Sequence, residues 1–88
     1  MRVVIVWREE SDYARTVREW LHDVETRLGY VPESMNPDEP ASVSFCQTYD
    51  IVEYPTIVAL DSQGRLLQMW RGAQLPQIDD VAYYMIQQ

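Results

Sequence analysis

The sequence predicts a single α/β domain: a four-stranded mixed sheet with helices on both faces, in the order β-α-β-α-β-β-α. Three observations lead there. Val3–Trp7 and Ile57–Leu60 are continuously apolar and rich in β-branched residues, the signature of strands buried on both faces. The segments after the first strand, before the second of these runs and at the end of the chain carry apolar residues at helical spacing. Finally, the short turn Asp61-Ser62-Gln63-Gly64 separates Leu60 from another strand, Arg65–Arg71, so those two strands close as an antiparallel hairpin.

Each element has its own local cause. After the first strand, Ser11 or Asp12 is expected to cap a helix, and the acidic run Glu9, Glu10, Asp12 suits the positive end of its dipole. That helix is expected to run to about Leu28. Tyr13, Val17, Trp20, Leu21, Val24 and Leu28 form its apolar face, Arg15, Arg18, Glu19, Asp23 and Arg27 form the polar one, and Gly29 stops it. Tyr30–Met35 is expected to form a second strand, with Pro32 confining it to an exposed edge. The turn Asn36–Pro40 leads into a second helix, with Asp38 as its cap and Pro40 in the first turn, where a missing N–H does no harm. Ala41, Phe45, Cys46 and Tyr49 make its buried face, and it ends near Asp50. In the hairpin's second strand, Leu66, Gln68 and Trp70 alternate against Leu67, Met69 and Arg71. After Gly72 a last helix, with Pro76 in its first turn, packs through Leu75, Ile78, Val81, Ala82, Met85 and Ile86. Both of the first two helices are expected to connect strands that lie parallel.

Composition narrows the function. The 88 residues make one domain, residues 1–88, with a modest core. The net charge of −7 argues against nucleic acid and anionic membrane surfaces, which both attract basic faces. No apolar run approaches the roughly 20 residues that span a bilayer. The apolar run at the start is shorter than the roughly 7–15 residues of a signal peptide, so the sequence reads as a cytoplasmic protein. A single cysteine, Cys46, allows no internal dithiol pair and no multi-cysteine metal site.

The second half carries a resemblance. Tyr49-Asp50-Ile51-Val52-Glu53-Tyr54-Pro55-Thr56, followed by an apolar strand, the turn glycine Gly64 and then Gly72-Ala73, resembles the corresponding run of thioredoxins. The spacing differs by one extra residue in the hairpin turn. The likeness covers roughly Ala41 to Met85, and the first half agrees in pattern only. It implies a minimal thioredoxin fold, of the thioredoxin-like and glutaredoxin-like kind, with a cis Tyr54–Pro55 bond. In that family this turn lies beside the redox centre and helps to bind extended peptides or thiol substrates. The departure is as informative. Where the family has Cys-x-x-Cys, this chain has Glu10-Ser11-Asp12-Tyr13. Thiol–disulfide exchange needs a thiolate stabilised at a helix start, and a carboxylate-rich corner cannot supply one.

The residues therefore lead to a non-catalytic module that binds a protein or peptide, as a monomer, without cofactor or metal. The expected surface is Glu10, Ser11, Asp12, Tyr13, Tyr54, Pro55 and Thr56. The rival reading is a glutathione-linked or single-thiol redox protein using Cys46, since a groove of this fold can hold glutathione beside the cis proline. It requires an exposed, acidic thiol, whereas Cys46 falls on the buried face of its helix. A purely structural subunit is a third reading. The acidic corner reads as capping rather than a metal site, because consecutive residues at a helix start rarely converge on one ion. His22, the one histidine, falls on a polar helix face. Trp7, Tyr13, Tyr54 and Trp70 extend the small core, or form an aromatic rim if Tyr13 and Tyr54 meet at one end of the sheet.

Overall fold

The computed structural model describes residues 1–86. Its elements are β1 (Arg2–Val6), α1 (Ala14–Leu28), β2 (Glu33–Met35), α2 (Pro40–Thr48), β3 (Thr56–Leu60), β4 (Leu66–Arg71) and α3 (Ile78–Ile86). The expected order is observed, and the sheet is mixed, with strand order β2-β1-β3-β4. β1 runs parallel to β2, pairing Val4 with Glu33 and Val6 with Met35. It runs antiparallel to β3, pairing Val4 with Val58. The hairpin β3–β4 is antiparallel, with an irregularity between Ala59 and Leu60. The expectation that α2 joins parallel strands is therefore corrected: α1 does connect a parallel pair, but β3 enters the sheet on the other side of β1 and in the opposite direction.

The two apolar strands occupy the centre, and alternation sends their side chains to two cores. Val3, Ile5, Trp7, Ile57 and Ala59 meet Ala14 and Val17 of α1 and Val81 of α3 on one face. Val4, Val6, Val58 and Leu60 meet Cys46 of α2 and Ile51 on the other. Helices thus cover both faces, α1 and α3 on one and α2 on the other. β2 is an edge strand, as the proline before it indicated; Pro32 itself is buried just outside it. Trp7 follows β1 rather than ending it, although its N–H still donates to the Met35 carbonyl at 3.0 Å.

Several local expectations change. α1 begins at Ala14 with Tyr13 as its N-cap and no side-chain cap, and its first turn holds no acidic residue. Ser11 and Asp12 lie in the preceding turn instead, where the Ser11 hydroxyl donates to the Arg8 carbonyl at 2.7 Å. The cap of α2 is the backbone of Glu39, not Asp38, because the Asp38 carboxylate is drawn away by an arginine across the loop. Ala41 is exposed and Ser42 takes its place against the core, a one-residue rotation of the helix face. α2 stops at Thr48 through a Schellman-type turn: Ile51 N–H donates to the Cys46 carbonyl at 2.8 Å, and Asp50 N–H to Gln47 at 3.3 Å. Asp50 sits there at φ 54°, the left-handed region usually left to glycine. Gly29 ends α1 as expected, at φ 83°. The expected place of Ile86 on the apolar face of α3 lies outside the described side chains.

Candidate functional site

β1 ends where β3 begins, with Val6 opposite Thr56, and the loop that leaves β1 meets there the segment that enters β3. From β1 comes Trp7–Tyr13; from the segment before β3 comes Glu53–Pro55. The first loop is folded by its own polar groups. Arg8 N–H donates to the Tyr13 hydroxyl at 2.9 Å, the Ser11 hydroxyl holds the Arg8 carbonyl, and Arg18 reaches back from α1 to the Glu9 carbonyl at 3.1 Å. The second loop is held by Thr56, whose hydroxyl donates to the Glu53 carbonyl at 2.6 Å, and by Gly72 N–H, which donates to the Pro55 carbonyl at 2.8 Å. The Tyr54–Pro55 bond is cis. Among the described residues, no backbone hydrogen bond engages the N–H or C=O of Tyr54.

Arg8 ties the loops together. Its guanidinium lies 4.7 Å from the centre of the Tyr54 ring, a cation–π distance. It also donates twice to Asp38, from Nε at 2.9 Å and from the terminal nitrogen at 3.0 Å, the two-pronged geometry that arginine favours with carboxylates. Tyr13 and Tyr54 therefore meet through Arg8 rather than ring to ring. The Arg8 hydrogen bonds hold the Asp38 carboxyl below the ordinary carboxylate range, and Asp38 in turn raises Arg8. Both groups are exposed, so the pair orders the loop more than it stabilises the fold.

Beyond Tyr54 the surface turns apolar. A groove of about 360 Å³ runs along α2 and the segment after it, lined by Pro37, Val43, Cys46, Ile51, Val52 and Tyr54 among others. Val43 is 45% and Val52 77% exposed, so its rim carries branched aliphatic side chains turned toward water. Its floor is Cys46. Burial pushes the Cys46 thiol above its ordinary value, and the neighbouring Tyr54 hydroxyl offsets this only in part. Burial likewise raises Tyr54, whose hydroxyl donates to the Ile51 carbonyl at 3.4 Å.

The seven expected surface residues thus fall into two groups. Glu10 and Asp12 are exposed, and Ser11, Tyr13 and Tyr54 are half-buried around Arg8. Pro55 and Thr56 are buried and form the frame that holds Tyr54. His22 is exposed on α1. No group of three or more His, Cys, Asp or Glu among the described residues is arranged to hold a metal ion. No described helix is long and apolar enough to cross a membrane. Arg8, Asp38, Val43 and Val52 were not anticipated as site residues. The available signal for Arg8 was its position: it is the one cation in a stretch of carboxylates, at the carboxyl end of a central strand.

No protein-family model and no curated protein matches the chain. Solved structures do. The chain is similar to thioredoxin 1 from the thermophilic eubacterium Thermosipho africanus TCF52B, with a TM-score of 0.66 and 12% identity over 98% of this chain and 91% of that one. It is also similar to a designed protein, with a TM-score of 0.60 and 19% identity over 97% of this chain and 72% of that one. The chain has a thioredoxin-like fold.

Proposed function

We propose that this protein is a non-catalytic thioredoxin-fold module that binds an extended peptide or protein segment across the Arg8–Tyr54 corner and along the groove beside α2. The observation that carries this reading is the continuity of the surface. The unpaired backbone N–H and C=O of one residue, Tyr54, lie between a guanidinium held over an aromatic ring and a groove rimmed by exposed valines. Backbone groups of this kind pair with an extended chain, and the aliphatic rim takes its apolar side chains. Tyr54 and Arg8 are the residue types that dominate binding energy at protein interfaces. Tyr13, Ser11 and Asp38 position Arg8, while Pro55 and Thr56 position Tyr54; Glu10 and Asp12 give the rim an acidic side. The module needs no cofactor and acts as a monomer in the cytoplasm.

A redox role for Cys46 fits less well. An exchanging thiol must reach its partner as a thiolate, and Cys46 is both buried and shifted toward the protonated form. Glutathione would find the groove, but no accessible thiolate in it.

The test is selection of a random peptide library on the wild-type protein, with Tyr54→Ala and Val52→Asp as counter-targets. Val52 is exposed, whereas Tyr54 is half-buried against the core beside α2, so circular dichroism first establishes that each variant is folded. The reading expects peptides that bind wild type and lose roughly tenfold or more affinity on either variant, the cost of about 1.4 kcal/mol or above at an interface hot spot. Peptides that bind all three proteins equally would place the interaction elsewhere.

A further inference from the structure

On the opposite face of the sheet from this groove, β4 and α3 enclose a second concavity, of about 450 Å³, lined by Gln68, Trp70, Asp79, Asp80, Tyr83 and Tyr84. The fold builds it from two periodicities. Gln68 and Trp70 are two apart on a strand and so face the same side, toward α3. Asp79 and Tyr83, and Asp80 and Tyr84, are four apart on a helix and stack in pairs along it. The aromatic rings are mutually braced: Trp70 meets Tyr84 edge-on with centroids 5.6 Å apart, and Tyr83 meets Tyr84 edge-on at 4.9 Å. The entry to α3 is pinned by the Trp20 indole N–H, which donates to the Pro76 carbonyl at 2.9 Å. Three aromatic side chains and two carboxylates thus line one hollow, and no basic side chain does. Among the described residues, neither aspartate is in an ion pair, whereas Asp38 and Asp61 each have an arginine. Tyr83 is 59% exposed, so its ring is open to a ligand from solvent.

We infer that this concavity is a receptor for a guanidinium, the arginine side chain of a basic partner segment. The chemistry is complementary in each part. A planar cation stacks on the aromatic faces, and its N–H fork donates to Asp79 and Asp80, the Gln68 side-chain carbonyl already accepting from Met69 N–H at 2.9 Å. The opening is wide and carries acceptors along one wall, which suits a flat, five-donor group better than the compact ammonium of lysine. The net charge of −7 draws a basic segment toward the molecule as a whole, and the carboxylates at the hollow fix where it docks.

The experiment is an NMR titration with the blocked peptide acetyl-Gly-Arg-Gly-amide, following the Trp70 indole and the Tyr83 and Tyr84 rings. The same peptide with citrulline, a neutral analogue of the same shape, and with lysine serves for comparison. Saturable shifts at the three rings are expected with arginine, weakened about tenfold or more with citrulline and less severely with lysine. The double change Asp79→Asn, Asp80→Asn should shrink the difference between arginine and citrulline, and added salt should weaken the arginine and lysine peptides but not the citrulline one. Tyr83→Ala, at an exposed position, should weaken arginine binding in a protein that still folds. Equal binding of arginine and citrulline, equal binding of lysine, or shifts that bypass Trp70 would overturn the assignment.

Discussion

Cys46 packs beneath the sheet against the cluster of Val4, Val6 and Val58, and its chemistry follows from that position. Because burial raises its pKa in the folded protein, the thiol contributes stability that is fully present below the unfolded value near 9 and is lost as pH rises through the higher folded value. Tyr54 acts in the same sense above its ordinary value of 10. Two outcomes follow for Cys46. A chromogenic disulfide reagent should label it slowly in native protein and rapidly once denaturant unfolds the chain; fast native labelling would revive the redox reading. Cys46→Ala should cost about 1 kcal/mol, as the loss of one buried heavy atom does, and should flatten the alkaline fall in stability measured by urea titration. That Cys46 is buried was legible from its spacing to Phe45 and Tyr49 on one helix. The role of Arg8 was not. Its partners Asp38 and Tyr54 lie far along the chain, and only the meeting of two loops brings them together.

At the level of elements, helix ends are where sequence reasoning divides. Gly29 announced the end of α1 because left-handed backbone favours glycine, and an added Cβ there would meet no atom within 4 Å. Gly29→Ala should therefore lower stability through backbone strain alone, by about 1 kcal/mol in thermal unfolding. The end of α2 gave no such signal, since Asp50 occupies the same conformation without being glycine. Asp50→Gly should raise the melting temperature through relief of up to about 1 kcal/mol, and Asp50→Val should lower it. The start of α1 misled for a related reason. Ser11 and Asp12 have the chemistry of caps, but the Ser11 hydroxyl bonds the Arg8 carbonyl and the helix begins two residues later. Short polar side chains serve turns as readily as helices, and sequence alone does not say which. The order of elements was more secure, because periodicity over many residues averages out such local competition. Strand direction in the sheet was less so: a helix between two strands permits either direction, and β3 takes the antiparallel one beside β1.

For the whole molecule, stability rests on a narrow margin. A chain of this size is held by roughly 4–13 kcal/mol, at about 0.05–0.15 kcal/mol per residue. Ile57 is fully buried in a strand at the sheet's centre, so Ile57→Ala should remove about 2–5 kcal/mol and leave much of the chain unfolded at physiological temperature, as circular dichroism would show. Acid should act through the arginine-paired carboxylates. The Arg65 backbone N–H, with help from Gln63 N–H and the Arg65 side chain, holds Asp61 below its ordinary range; Arg2 does so for Glu33 and Arg8 for Asp38. Each is depressed in the folded state. Its contribution is therefore present above the unfolded values of about 3.8–4.5 and disappears as pH falls through the lower folded ones. Asp61→Asn should shrink that acid-dependent loss in denaturant titrations, and Asp38→Asn should do the same to a smaller degree.

The central claim is that the Arg8–Tyr54 corner and the groove beside α2 form a surface for an extended peptide. The most direct measurement is an amide chemical-shift map by NMR, recorded while a library-selected peptide is titrated into the intact protein. The account predicts shifts that centre on Arg8, Tyr13 and Tyr54, extend through Val52 to Val43, and vanish in Tyr54→Ala. Shifts centred on β2, the outer face of α1 or the Gln68–Tyr84 hollow, with Arg8 and Tyr54 unmoved, would contradict it.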